Sequence, residues 1–192
     1  MPRTVIVMVK EPRPGRVKTR LGRDIGMPEA AWWFRHQVAG LLRRICDPRW
    51  QVILAVSPDR DGMLSRVWPR GFARIPQGTG DLGDRMVRAM HAAPRGPVVV
   101  IGADIPGITR GTLAEAFAAL GSADAVIGPA SDGGYWLIGA RLASLMRRGV
   151  LGNVRWSTEH ACADTRTALS GLRLSEIREL YDVDRVADLA LR

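Results

Sequence analysis

The chain has 192 residues, of which 46% are hydrophobic and 24% charged: long enough to bury a sizeable core, and unlike disordered, collagenous or disulfide-framework compositions. Its 28 Lys and Arg against 19 Asp and Glu give a formal charge of +9, which suits nucleic acid, a membrane surface or a phosphate-rich small molecule without choosing among them. The apolar run at residues 5–9 is too short for a membrane span or a signal h-region, so the expectation is a cytoplasmic protein forming one domain over residues 1–192.

Residues 4–9 form a β-branched run that reads as a buried strand emptying into a loop rich in breakers. Pro28 fits a first helical turn, and Ala30, Trp33, Phe34, Val38, Leu41, Leu42 and Ile45 recur at helical spacing, which predicts a helix over 30–45, stopped by Asp47-Pro48. Strands are predicted at 51–56, 72–75 and 98–101, with a helix at 82–93 between the last two. Residues 109–120 read as a helix that Thr109 caps, 125–127 and 136–138 as strands, and 142–148, 159–169 and 186–191 as helices. This alternation predicts an α/β sandwich with a mostly parallel sheet, whose ligand binds beyond the carboxyl ends of the strands.

Four clusters carry the chemistry. After the first strand, Lys10, Arg13, Arg16, Lys18 and Arg20 place five cations in an eleven-residue loop, among prolines and a glycine that turn it and leave backbone N–H groups free. That combination suits a polyphosphate, although it matches neither the P-loop nor the dinucleotide-binding glycine pattern; a solvated basic loop is the alternative. Only two of the 28 basic residues are lysines, and both stand in this loop. Gln77-Gly-Thr-Gly-Asp-Leu-Gly-Asp-Arg-Met86 is a glycine-rich turn into a helix, able either to admit a planar or anionic group to the backbone or to form a tight connection with Asp81 as N-cap. Gly102-Ala-Asp-Ile-Pro106 delivers Asp104 to the end of a strand, where a carboxylate can join Mg²⁺ to phosphate oxygens; capping the next helix is the competing role. The fourth cluster, residues 128–139 with 155–158 and 181–184, sets Ser131 and Asp132 beside Tyr135 and Trp136, as in a pocket wall for an acceptor, while Asp132-Gly-Gly134 is equally a hairpin signal. Asp182 and Asp184 are alternatives for a second metal ligand and for a helix cap.

Cys46 and Cys162 share no local motif and read as buried hydrophobes. His36, His91 and His160 fall in predicted helices with no second ligand at metal spacing, and Ser131 and Ser157 lack a nucleophile's context, so neither zinc nor covalent chemistry is expected.

Taken in order, Lys10-x-Pro-x-Pro-Gly-x-Val-Lys-Thr-Arg-Leu21, Gln77-Gly-x-Gly-Asp-Leu-Gly-x-Arg-Met86, Gly102-x-Asp-x-Pro106, Gly128-Pro-Ala-x-Asp-Gly-Gly-Tyr-x-Leu-Ile-Gly139, Trp156-Ser-Thr158 and Tyr181-Asp-Val-Asp184 cover almost the whole chain. As a set they resemble the small GT-A-like transferases known as glycosyltransferase A or radical-SAM/selenodomain-associated transferases. They are more distantly similar to 2-phospholactate guanylyltransferase and the molybdenum-cofactor nucleotidyltransferases. Arg185 stands where the family pattern has Thr. The resemblance implies a nucleotide-diphospho-sugar transferase fold: a three-layer α/β sandwich around a mixed seven-stranded sheet, mostly parallel with one antiparallel strand.

The scaffold serves nucleotidyl and glycosyl transfer alike, so fold alone does not choose the reaction. The preferred expectation is Mg²⁺- or Mn²⁺-dependent nucleotidyl transfer from an NTP to a small anionic acceptor, releasing pyrophosphate. Lys18, Arg20 and Asp104 are its catalytic residues. Lys10, Pro14, Gly15, Lys18, Arg20, Gly78, Gly80 and Arg85 are placed on the nucleotide, and Asp104 with Asp182 on the metal. Asp132, Gly133, Gly134, Tyr135, Trp156 and Ser157 are placed on the acceptor. The alternative is a glycosyltransferase taking a nucleotide sugar and releasing NDP. A third reading, a basic nucleic-acid-binding module, predicts aromatics interleaved with basic residues; no such pattern and no helix-turn-helix, RRM or OB signature is found, so neither nucleic acid nor a membrane span is expected. Oligomeric state is not legible.

Overall fold

The structure, a computed structural model, describes residues 1–181. In chain order it holds β1 (Thr4–Lys10), α1 (Thr19–Ile25), α2 (Met27–Ile45), β2 (Gln51–Ser57), α3 (Asp59–Leu64), β3 (Ala73–Pro76), α4 (Leu82–Ala92), β4 (Val98–Ile101), α5 (Arg110–Ala119), β5 (Ala125–Pro129), β6 (Tyr135–Ala140), a 3-10 turn (Ala143–Leu145), α6 (Ala161–Ala168) and β7 (Leu174–Glu176).

Side-chain alternation in the strands decides the layering. In β1, Val5, Val7 and Val9 enter one apolar cluster and Ile6 another, because successive side chains leave opposite faces of a strand. In β4, Val99 and Ile101 join the first cluster while Val98 and Val100 join the second. Strands buried on both faces need cover on both. Phe34, Val38, Leu41, Leu42 and Ile45 of α2, with Leu113 and Phe117 of α5, cover the first face; Met86, Val87 and Met90 of α4, with Ala161 of α6, cover the second. The strand order is β3-β2-β1-β4-β6-β5-β7, and β6 runs antiparallel to both β4 and β5 while the other pairs are parallel. The fold is therefore the α/β sandwich that the alternation of elements predicts, with the mixed seven-stranded sheet that the resemblance implies.

This order has one consequence for function. From β1 the chain moves outward through β2 to β3 and then returns across the sheet to β4, on the other side of β1. The crevice between the carboxyl ends of β1 and β4 is thus the switch point at which open α/β sheets bind ligands. Lys10 ends β1 there, and the Gly102–Asp104 turn follows β4.

Some elements differ from the expectation. α1 occupies what reads as loop, because Lys18 opens it without a side-chain cap and its seven residues give little periodicity. α3 and β7, of six and three residues, are too short to register as patterns. The helix expected at 142–148 shrinks to the 3-10 turn, which has no side-chain cap and is followed by Gly149 at φ 77°. The helix expected at 186–191 lies outside the described residues. Both cysteines are free, but Cys46 is exposed rather than buried. Among the described residues no helix is long and apolar enough to cross a membrane.

Asp124 staples the far side of the sheet. Its Oδ1 accepts from Arg141 Nη2 at 2.6 Å beyond β6, and its Oδ2 accepts from Arg173 N and Nε at 3.2 and 3.1 Å ahead of β7. Hydrogen bonds from Arg173 hold the carboxyl down to about 2. A carboxyl depressed in the folded state adds stability above its unfolded value, about 3.9, and loses it as pH falls through the folded value. Asp124→Asn should therefore flatten the rise in urea midpoint between about pH 2 and 4 relative to the wild type. Superimposable acid limbs would show that the staple adds nothing.

Candidate functional site

A cavity of about 850 Å³ opens at the switch point. Of the cationic loop, Lys10, Arg16, Lys18 and Arg20 line it, and Asp104 faces them from the end of β4. Asp132, Gly134, Tyr135, Trp156 and Ser157 also line it. Pro14, Gly15, Gly78, Gly80, Arg85 and Gly133 are not part of the lining.

Lys18 is the residue the loop is built to present. Its backbone lies at φ 45° and ψ 47°, the left-handed region, which costs a non-glycine residue on the order of 1–3 kcal/mol. Buried Val17 and Leu21 anchor the chain on either side. The Lys18 side chain is only 6% exposed, and its Nζ lies 2.7 Å from Asp104 Oδ2. A buried ammonium requires such a partner, since unpaired burial of charge costs several kcal/mol. Asp104 is in turn fixed by its turn: Gly102 N donates to Trp136 O at 3.2 Å, and Ile105 and Ile108 are buried. Asp104 does not cap α5, because Thr109 and Thr112 satisfy that end reciprocally. Ser157 is the other described non-glycine residue at positive φ, 62°, and it too lines the cavity.

The glycine-rich turn meets the cavity differently from the expectation. Gly78 N donates to Asp59 Oδ1 at 3.1 Å, Arg88 Nη1 donates to Gln77 O at 2.7 Å, and Arg85 Nε donates to Gly80 O at 3.0 Å. The side chains of Arg88 and Asp84 fill the space that a Cβ at Gly78 or Gly80 would occupy, so the helix itself closes over these glycines. Asp81 takes the capping role, its Oδ1 accepting from Asp84 N at 2.8 Å. Gln77, Leu82 and Met86 reach the cavity instead. The signal for Gln77 was present in the sequence as a polar side chain directly after a strand.

Residues 130–134 form the hairpin turn, and Asp132 and Gly134 within it also line the cavity, whereas Ser131 and Gly133 do not. Ala130 N donates to Gly134 O at 3.0 Å, and Asp132 Oδ1 accepts from Gly134 N at 2.8 Å, closing the β5–β6 turn. Gly133, at φ 82°, lets the main chain of Glu159 approach to where a Cβ would stand, and its carbonyl accepts from Cys162 N at 2.9 Å. Residues 155–158 are held by a clamp that spacing does not reveal: Arg155 donates from N and Nε to Asp164 Oδ2 at 3.0 and 2.8 Å, and from Nη2 to Oδ1 at 2.8 Å. The Arg155 guanidinium holds the Asp164 carboxyl well below the usual carboxylate range. Trp156 then meets Tyr135 edge-on, with ring centroids 6.3 Å apart, and packs against Gly83 of α4. Burial pushes the Tyr135 phenol and the Cys162 thiol up.

Among the described residues no group of three or more His, Cys, Asp or Glu is arranged to hold a metal ion. Asp104 and Asp132 are predicted site carboxylates that line the cavity, while Asp182 and Asp184 lie outside the described residues.

The chemistry the arrangement can supply is anion binding beside a strand-end carboxylate, in a cavity that Tyr135 and Trp156 also line. Asp164→Asn should speed amide hydrogen exchange at residues 155–158 by about tenfold or more, read by mass spectrometry, with α4 unaffected. Unchanged exchange would mean that Arg155–Asp164 is not what holds this segment.

Residues 41–158 match the model of a family described as uncharacterized protein conserved in bacteria (DUF2064). No curated protein matches the chain by sequence. A crystal structure from Desulfovibrio desulfuricans G20, provisionally assigned as a nucleotide-diphospho-sugar transferase, is 31% identical over 100% of this chain and 86% of its own, with a TM-score of 0.88. CMP:2-keto-3-deoxy-manno-octonic acid synthetase in complex with CTP superposes over 100% of this chain and 96% of its own, at 12% identity and a TM-score of 0.61. The 4-diphosphocytidyl-2C-methyl-D-erythritol synthase of Anaerococcus prevotii DSM 20548 superposes over 99% and 95%, at 9% identity and a TM-score of 0.63. The chain belongs to the DUF2064 family and has the fold of the nucleotide-diphospho-sugar transferases.

Proposed function

We propose that this protein is a divalent-metal-dependent transferase that moves a nucleotidyl group from an NTP to a small anionic acceptor and releases pyrophosphate. The observation that carries this reading is the Lys18–Asp104 pair, 2.7 Å apart, on a cavity that Lys10, Arg16 and Arg20 also line. A triphosphate calls for clustered cations and a metal-holding carboxylate in one place, and nucleic-acid binding has no use for a paired lysine inside a pocket. The synthetase with which the fold superposes holds CTP, and the 31% identical relative is named for nucleotide sugars.

The donors present fit Mg²⁺ or Mn²⁺. These hard cations take carboxylate oxygens, and Mg²⁺ sites commonly use one or two carboxylates with substrate phosphates completing the shell, so Asp104 with the proposed Asp182 suffices. The metal supplies neutralisation of phosphate charge. Lys18 leaves Asp104 for a phosphate oxygen, freeing the carboxylate, while Lys10 and Arg20 balance the remaining negative charge. Tyr135 and Trp156 orient the acceptor, with Asp132, Gly134 and Ser157 beside them. An acceptor oxygen attacks the α-phosphorus; the new P–O bond forms as the bond to the α–β bridging oxygen breaks, and its electron pair departs on pyrophosphate. An acceptor that is already anionic needs no general base, so positioning and electrostatics carry the rate.

The name of the 31% identical relative also favours glycosyl transfer from a nucleotide sugar, with NDP leaving. Supplying NTPs and nucleotide sugars separately with Mg²⁺ and candidate acceptors separates the two: the expected product is pyrophosphate. NDP from nucleotide sugars, with no pyrophosphate from any NTP, would establish the other reaction. In a thermal-shift assay Asp104→Asn should abolish the Mg²⁺-dependent part of the nucleotide shift, and an unchanged shift would reject the metal assignment. Lys18→Ala should weaken a triphosphate about tenfold or more while leaving the free nucleoside within about twofold; equal losses would mean that the loop does not hold phosphate.

A further inference from the structure

Gln77 is one of the few polar side chains buried in the core, 4% exposed, and every polar group it has but one is spent on the scaffold. Its N–H donates to Val56 O at 3.1 Å, and its carbonyl accepts from Arg88 Nη1 at 2.7 Å. Its Nε2 donates to Val9 O at 3.2 Å and to Ala55 O at 2.9 Å, in the carboxyl-terminal halves of β1 and β2. This network fixes the sense of the amide, because the flipped amide would press Oε1 against two carbonyl oxygens. Oε1 accepts no hydrogen bond among the described residues, and Gln77 lines the cavity together with Lys10, Lys18 and the apolar side chains of Leu82 and Met86.

An immobilised acceptor beside apolar side chains matches a flat heteroaromatic ring with an N–H donor on its edge. We infer that Gln77 Oε1 is a specificity-determining contact that reads the exocyclic amino group of a nucleobase, selecting cytosine, adenine or guanine over uracil. The imide of uracil presents its N–H between two carbonyls, which call for donors of their own, and the main-chain donors of Gln77 and Gly78 are already engaged, Gln77 N on Val56 O and Gly78 N on Asp59 Oδ1. An amino group makes no such demand. A site built around a fixed hydrogen-bond partner discriminates strongly against analogues that leave it unpaired. The inference rests on the nucleotide reading above and adds to it the group by which the base is chosen.

The test is calorimetric titration of the wild-type protein with Mg²⁺ and CTP, ATP, GTP or UTP. The tightest binder is then compared with its analogue lacking the amino group: the 2-pyrimidinone, purine or hypoxanthine nucleoside triphosphate respectively. The expected result is that UTP binds weakest and that loss of the amino group weakens binding about tenfold or more. Gln77→Met should bind the pair within about twofold of each other, and bind inorganic tripolyphosphate as the wild type does. The wild-type comparison decides the question even where the variant folds poorly. UTP binding tightest, equal wild-type affinity for the pair, or discrimination retained by a folded Gln77→Met would overturn the role of Gln77. Tripolyphosphate binding with none of the four NTPs binding more tightly would overturn the nucleotide reading itself.

Discussion

The ion pair between Lys18 and Asp104 is the constraint around which the rest of the site is arranged. Its two members come from loops 86 residues apart in the sequence, and they meet at 2.7 Å only because β1 and β4 are neighbours in the sheet. That adjacency follows from the chain returning across β1 after β3, and it is kept by strands whose alternate residues are buried on both faces. A helical or extended Lys18 would aim its side chain elsewhere. The left-handed backbone costs stability, and burial of Val17 and Leu21 together with the pair to Asp104 offsets it. Backbone strain held in place by packing is commonly found where function needs a side chain fixed.

The walls on either side of this pair are built by different physics. On the β3 side, hydrogen bonds to the backbone lock Gln77, and Asp59 of α3 with Arg85 and Arg88 of α4 ties the glycine-rich turn from outside. On the β5–β6 side, a hairpin turn, a close approach at Gly133 and the Arg155–Asp164 clamp set Tyr135 against Trp156. One wall offers a fixed polar atom beside apolar side chains; the other offers an aromatic surface with Asp132 and Ser157 beside it. Two chemically distinct walls meeting at a cationic floor suit a transferase, which must hold two different molecules on either side of one phosphorus.

Much of this was legible in the sequence for identifiable reasons. β1 and β4 declare themselves through uninterrupted apolar runs rich in β-branched residues and α2 through apolar residues at three- and four-residue spacing, and Asp104 stands out as a carboxylate directly after a buried strand. Lys10 and Lys18 stand out because arginine supplies every other basic side chain. α1, α3 and β7 are too short to show a period, and their existence depends on contacts made elsewhere in the chain. The glycines of the 77–86 segment suggested open backbone, but glycine at a turn says only that space is needed there. Here the α4 side chains Asp84 and Arg88 take that space, and the residue that reaches the cavity is Gln77, which precedes the first glycine. Arg155 and Asp164 were not legible as partners, since nine residues in an irregular segment fix no distance.

With only two lysines in the chain, selective ¹³Cε-lysine labelling gives an NMR spectrum with two side-chain resonances, assigned through Lys10→Arg. Mg²⁺ with a non-hydrolysable NTP should move the Lys18 resonance as its ammonium passes from Asp104 to phosphate, whereas Mg²⁺ with the corresponding nucleoside should leave it in place. A Lys18 resonance that stays put at saturating NTP, or that moves equally with the nucleoside, would contradict the account.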